Sequence, residues 1–168
     1  KVNKNGIHLV TVATRRGTPQ IQDPGINSLS KLNCITACIE ADRAGADEGI
    51  MLDIHGNVAT CNSTNFFIVK NGEVWTSTGE FCLPGVTRKA IIDICQSCNI
   101  PVFQKDFSIM DVHSSNEAFV TGTFAGIIPA IEIDGQAISG GKRGELTFRL
   151  QKYYSEQLSQ LYPVKAIK

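Results

Sequence analysis

Three segments of this 168-residue chain hold more glycine, serine and threonine than a simple connection requires. In Leu83-Pro84-Gly85-Val86-Thr87-Arg88, a glycine turn and a hydroxyl precede a run with helical spacing. The start of a helix offers unpaired N–H groups and the positive end of the helix dipole, so phosphate suits this position. Val120-Thr121-Gly122-Thr123-Phe124-Ala125 follows a β-forming run and adds hydroxyls to a glycine that permits close backbone approach. The third segment, Ala59 to Phe66, reads as a polar loop entering a strand. Taken singly, the first two segments serve equally well as a helix cap or a turn. Cys95-Gln-Ser-Cys98 has the spacing of a redox pair or of half a zinc site. No second CxxC accompanies it and His8, His55 and His113 are scattered, so no metal is expected.

Elements that could position these segments follow from periodicity and turn chemistry. Ile7 to Thr14, Gly49 to Ile54, Phe66 to Lys70, Glu73 to Thr76, Glu117 to Thr121 and Ile127 to Ile133 are rich in β-formers and read as strands. Val102-Phe103 is expected to be extended. Asn71-Gly72 between two such runs predicts a tight hairpin, because both residues tolerate positive φ. Asp134-Gly135 predicts another turn. From Leu32 the spacing becomes helical, with Leu32, Ile35, Cys38, Ile39 and Ala41 on the expected core face, Ser28 or Ser30 as cap and Gly45 as terminator. A second helix is expected after Gly85, with Val86, Ala90, Ile91 and Ile94 inward and Asn99-Ile100-Pro101 ending it. A third spans roughly 144–161. Strands outnumber helices without strict alternation, which points to an α+β fold rather than a doubly wound sheet.

Bulk properties exclude several classes of function. Sixteen Lys and Arg balance sixteen Asp and Glu, so the chain as a whole has no built-in attraction to nucleic acid or anionic membrane. No run approaches the roughly 18 apolar residues of a membrane span. Lys1 to Asn5 lacks the apolar core of a signal peptide, so a cytoplasmic location is expected. The six cysteines are expected to be mostly reduced core residues. Without a repeat or linker, residues 1–168 read as one domain.

The order of the motifs says more than any one of them. Glu40-Ala41-x-x-x-Gly45, Asp47-Glu48, Gly56-x-Val58, Asn65-Phe66-Phe67, Leu83-Pro84-Gly85-Val86-Thr87-Arg88, Asn116-Glu117-Ala118-Phe119, Thr121-Gly122-Thr123 and Pro129-x-x-x-Ile133-Asp134-Gly135 follow one another along the chain. From about residue 7 to 155 this succession resembles the class IV aminotransferases of branched-chain and D-amino-acid type. The resemblance implies a D-amino-acid aminotransferase-like large domain, a pseudo-barrel of mixed β-strands flanked by helices. It also implies an N-terminal small domain absent from this chain, a homodimer, and pyridoxal 5′-phosphate as cofactor. An amino acid and a 2-oxo acid would be the substrates. By resemblance, Gly85, Val86, Thr87, Gly122 and Thr123 hold the phosphate and Leu83 lies against the pyridine ring. The chain by itself is expected to be inactive.

Two positions depart from that pattern. Asn27 stands where the family has the lysine that binds the cofactor covalently, and an asparagine cannot do so. Lys31, about one helical turn (~6 Å) further on, is the substitute nucleophile or else a solvated lysine in a first helical turn. Thr60 replaces the glutamate that keeps the ring nitrogen protonated. Its neutral hydroxyl is expected to bond the unprotonated nitrogen, which weakens the ring as an electron sink. A same-family lyase, such as an aminodeoxychorismate lyase, is an alternative that also needs the lysine. A non-catalytic homologue binding a phosphorylated metabolite is another, and it does not.

Overall fold

The computed structural model describes residues 2–162. In chain order the elements are α1 (Val2–Asn5), β1 (Ile7–Thr11), α2 (Leu32–Arg43), β2 (Glu48–Leu52), β3 (Val58–Cys61), β4 (Asn65–Lys70) and β5 (Glu73–Thr76). They continue with α3 (Val86–Ser97), β6 (Val102–Gln104), α4 (Ile109–His113), β7 (Glu117–Gly122), β8 (Gly126–Ile133), β9 (Gln136–Ala137) and α5 (Glu145–Leu161). The strands form one mixed sheet ordered β3-β2-β1-β8-β7-β4-β5-β6, with β9 on β8. Its two ends curl toward each other: Val58 N–H donates to Phe107 O, and the Ser77 hydroxyl donates to Ala59 O at 2.7 Å. Mixed strands curled into a half-barrel and flanked by helices are the architecture expected from the sequence.

Side-chain alternation along each strand divides the core into layers. Ile50, Phe66, Ile68, Val120 and Phe107 fill the concave side. Phe67 and Phe119 stack with ring centroids 4.9 Å apart on the opposite side, under Ile91, Cys95 and Leu150 of α3 and α5. The β4–β5 hairpin turns on Asn71 and Gly72, both at positive φ (53° and 80°), as the dipeptide predicts. α5 has no side-chain cap of its own. Instead the buried Glu117 carboxylate on β7 accepts from the N–H groups of Leu146 and Thr147 and from the Thr147 hydroxyl, where negative charge suits the helix dipole.

α2 corrects the sequence reading in two respects. Neither Ser28 nor Ser30 caps it; Lys31 is the N-cap and makes no side-chain capping bond. Most of the expected core face also points outward: Leu32, Ile35, Cys38 and Ile39 are exposed, with Leu32 at 78%, whereas Ala41 is buried as expected, together with Ala37. The cause is close packing. A Cβ at Gly49 would meet Val12 Cγ1 and the Ala37 carbonyl, so only small residues fit between helix and sheet. In α3, likewise, Val86 is exposed, while Thr87, Arg88, Ile91, Ile92, Ile94 and Cys95 are buried. Among the described residues no helix is long and apolar enough to cross a membrane.

Candidate active site

Asn65, the first residue of β4, is the hub around which the two glycine-threonine segments meet. It stands directly across from Thr121 of β7. Two residues on, Phe67 pairs with Phe119, so alternation puts Asn65 and Thr121 on the same helix-covered face as the stacked rings. The Asn65 amide donates to Leu83 O at 2.9 Å, which draws the Leu83–Thr87 turn down onto the strand end. Gly85 is the N-cap of α3, and a Cβ there would run into Asn65 Oδ1. Two positions further into α3, the Thr87 hydroxyl is buried without a hydrogen-bond partner, and so is that of Thr121. Such a group costs roughly 1–3 kcal/mol if it stays unpaired. Arg88 anchors the same turn, donating to Ser77 O at 2.7 Å and Gln104 Oε1 at 2.9 Å. Burial lowers its pKa, and no carboxylate is among its hydrogen-bond partners.

Beside this hub opens a cavity of about 620 Å³ whose wall includes Asn27, Lys31, Thr60, Leu83 and Thr123. Five of the positions singled out in the sequence therefore share one enclosure. Gly122 lines an adjoining recess of about 380 Å³, which also contains Thr123. Val86 is exposed and Thr87 is buried behind Leu83 and Asn65; neither they nor Gly85 form part of the cavity wall. The Lys31 ammonium donates to Asn27 Oδ1 at 3.0 Å, so lysine and asparagine stand side by side. Lys31 is the N-cap of α2 rather than a residue of its first turn.

Thr60 behaves differently from the sequence expectation. Its hydroxyl donates to the Thr64 carbonyl at 2.8 Å. A hydroxyl has one proton, and in this arrangement that of Thr60 is directed at Thr64 O, which also accepts from Cys61 N–H at 2.9 Å. The Ser63 and Thr64 hydroxyls both donate to the buried carboxylate of Glu48, at 2.5 and 2.7 Å. Glu48 also accepts from Ser63 N–H at 2.8 Å, which ties the 61–64 turn to β2.

Comparison with known proteins settles the family. Residues 1–133 match the family model described as amino-transferase class IV. This chain belongs to the class IV aminotransferases. The branched-chain-amino-acid aminotransferase-like protein 2 of Arabidopsis thaliana is 39% identical over 154 residues, covering 92% of this chain and 28% of that protein. The putative branched-chain-amino-acid aminotransferase of Methanocaldococcus jannaschii is 35% identical over 156 residues, covering 92% of this chain and 54% of that protein. A T.th. branched-chain amino acid aminotransferase complexed with N-(5′-phosphopyridoxyl)-L-glutamate superposes with a TM-score of 0.91 at 28% identity, over 97% of this chain and 55% of that one. The chain thus spans between about a quarter and just over half the length of the relatives it matches.

Within this class IV aminotransferase chain, the thiols and carboxylates sort into inert and structural groups. Cys95 is fully buried and its pKa is pushed up to about 12 by burial, while Cys98 is exposed and free. The CxxC pair also sits at the C-terminal end of α3, where the helix dipole disfavours a thiolate. Burial, then the charge of Glu48, raises the Cys61 pKa well above the ordinary thiol value. Glu40 lies below the usual carboxylate value because it accepts from the Thr14 hydroxyl and the Ala13 and Thr14 N–H groups, tying α2 to the end of β1. Arg16 Nη1 donates to Cys34 Sγ at 2.8 Å and Nε to Phe81 O at 3.2 Å, putting a second cation beside Lys31 on the cavity wall. Asn65, Thr121, Glu48 and Arg16 were not among the site residues read from the sequence. Asn65, Thr121 and Glu48 lay within motifs visible in the sequence and Arg16 did not, but what each of them does depends on sheet register and on contacts between distant segments.

Proposed function

We propose that this chain is the cofactor-holding part of a pyridoxal-phosphate enzyme that moves an amino group between an amino acid and a 2-oxo acid. The observation that carries this reading is the pair of buried, partnerless hydroxyls, Thr87 and Thr121, flanking Asn65 at the start of α3. Unpaired buried donors beside a helix N-terminus suit a phosphate group. Gly85, Val86, Thr87, Gly122 and Thr123 would hold that group, with Leu83 against the ring. When bound, pyridoxal phosphate supplies an aldehyde carbon that takes up an amino group and a ring that withdraws electrons from it.

Among the described residues Lys31 is the one lysine on the cavity wall. Its Nζ would bind the cofactor and then carry the substrate α-proton as general base, after leaving Asn27 Oδ1. A second cavity cation, Arg16, suits the carboxylate shared by amino acids and 2-oxo acids. Ile26, Leu29, Leu32, Ile35 and Ile39 are exposed apolar residues in and before α2. We read this face as the place where the remainder of a longer protein, a second copy in a homodimer, or both complete the site and shield it from water. Alone, the chain is expected to show no transaminase activity, because positioning and water exclusion are incomplete.

The Lys31–Asn27 bond and the spent proton of Thr60 favour a second reading, a non-catalytic homologue that keeps the anion site. Absorbance separates the two. The protein in full, loaded with pyridoxal phosphate, should show a visible band that borohydride abolishes and that Lys31→Ala removes. A colourless protein that still binds the compound would retain the anion site and reject the enzyme.

A further inference from the structure

α4 and α5 each begin on a negative charge, supplied by the Asp111 carboxylate in the first and by the buried Glu117 carboxylate in the second. α3 does the reverse: its first turn contains no acidic residue and carries Arg88 as its third residue. A cation is disfavoured at the positive end of a helix dipole. Arg88 is also only 6% exposed; its Nη2 donates to the uncharged Ser77 O and Gln104 Oε1, and its Nε is buried without a partner. Among the described residues no carboxylate forms an ion pair with it. A buried charge left without a countercharge is costly, and a guanidinium does not escape the cost by giving up its proton. The fold therefore keeps a positive charge at the start of α3 that nothing within it neutralises.

We propose that the missing countercharge is the ligand's: Arg88 keeps the start of α3 electropositive through space, so that the site there prefers a doubly charged phosphate group to a singly charged anion. The inference rests on the reading of Thr87 and Thr121 as an anion site. Arg88 lines neither the cavity nor the recess beside it, so it does not touch the ligand and acts by charge from behind Thr87. The Thr87 hydroxyl can bond a phosphate oxygen in either ionisation state, whereas Coulomb attraction grows with the charge the ligand carries. Other ionisable groups leave this balance in place. Glu80, in the loop before α3, is exposed, and Lys89 is paired with Asp93. The Cys82 thiol is buried 3.7 Å from Ser77 Oγ, and Lys105, next to Gln104, stands over the Trp75 ring. On the cavity side Arg16 and Lys31 add positive charge and Asp47 adds negative, while the Glu48 carboxylate is held by Ser63 and Thr64.

The test uses the protein in full and measures by calorimetry its affinity for inorganic phosphate at pH 5, where phosphate carries mainly one charge, and at pH 8.5, where it carries mainly two. Sulfate, a tetrahedral dianion at both pH values, is the reference that cancels titration of the protein. In the parent the ratio of phosphate to sulfate affinity should rise about tenfold between the two, the scale of one added charge near a partly buried cation. Arg88→Met should remove most of that rise. Arg88→Gln, which keeps a donor for Ser77 O but not the charge, is the second neutral variant and should do the same. Arg88→Lys should retain the rise while binding both anions more weakly. A role confined to anchoring the turn would weaken phosphate and sulfate together and leave the ratio unchanged. No rise in the parent, or an equal rise in the neutral variants, overturns the proposal and leaves the anion site standing. If neither anion binds the parent, or Thr87→Val leaves the binding of both unchanged, the anion site fails and takes the proposal with it.

Discussion

The N-termini of α2 and α3 both border the candidate site, yet they are built in opposite ways. α3 is entered through Gly85, seated on Asn65 and anchored by the buried Arg88, with two donor hydroxyls already sealed from water. α2 is entered through Lys31 with no side-chain cap, after a long irregular segment, and turns Leu32, Ile35 and Ile39 outward. One end is therefore preorganised by the sheet core, and the other depends on whatever covers it. A grip on an anion can be supplied by one folded unit, whereas the chemistry next to Lys31 needs further burial to become effective.

The largest effect is expected at the chemical end. Lys31→Ala should lower transamination by the protein in full by at least about 100-fold, the scale of a lost general base. Unchanged turnover would place the nucleophile elsewhere. At the anion end, Gly85→Ala should cost about 1–3 kcal/mol of stability because the new methyl meets Asn65 Oδ1; a chemical-denaturation midpoint equal to the parent's would show that the turn has slack. Thr87→Val should move two readouts in opposite directions. The ligand-free chain gains about 1 kcal/mol as an unpaired buried hydroxyl disappears, while affinity for inorganic phosphate falls. A loss of stability would mean that the hydroxyl has a partner.

Asp111, on α4 and remote from both ends, provides a pH control. Its hydrogen bond from Lys70 at 2.8 Å, followed by the Ser108 N–H, holds its pKa down to about 2 against an ordinary 3.8. A depressed folded-state pKa contributes stability above pH 3.8, and that contribution is lost as pH falls through about 2. With Asp111 33% exposed, solvent limits it to roughly 1 kcal/mol or less. Asp111→Asn should therefore be the less stable protein at pH 6 and converge with the parent near pH 2. Persistence of the difference at pH 2 would mean that packing, not charge, is responsible. The smallest effect is expected on the open face: Ile35→Glu and Ile39→Glu should each change the stability of the chain alone by under about 0.5 kcal/mol. A large drop would show that this face is packed.

What could be read from the sequence tracks which features are local. The Asn71-Gly72 and Asp134-Gly135 turns were legible because each requires positive φ at adjacent residues, and few dipeptides tolerate that. The Gly85 start of α3 was legible because helical spacing begins directly after a Pro-Gly turn, Gly85 itself being extended rather than at positive φ. β3 was not, since Val58-Ala59-Thr60-Cys61 lacks an alternating pattern, being buried along its whole length. The α2 face was misread because periodicity identifies a stripe without saying what covers it, and here the helix approaches the sheet through alanines and Gly49. Leu83, Thr60, Asn27, Lys31 and Thr123, singled out through the resemblance, line one cavity. The direction of the Thr60 hydroxyl was not legible, because it is set by a backbone carbonyl four residues away. Thr121 was seen within its motif, but its place beside Asn65 was not legible because it follows from the register of β7 on β4.

The strand order has a consequence for how the molecule is made. Within this chain β1 is made well over a hundred residues before β8, yet in the finished sheet it lies between β2 and β8, with Ile7 opposite Ala130. During synthesis its β8-facing edge waits for well over a hundred residues, and β7 waits for the same strand. The sheet therefore closes late and all at once, through contacts far apart in sequence, which is the slow class of folding. A chain released before residue 126 would keep two open β-edges where β8 belongs, and open edges are templates for aggregation. Nascent chains stalled on either side of β8 should differ sharply in protease resistance, with the step at that strand rather than spread along the sequence.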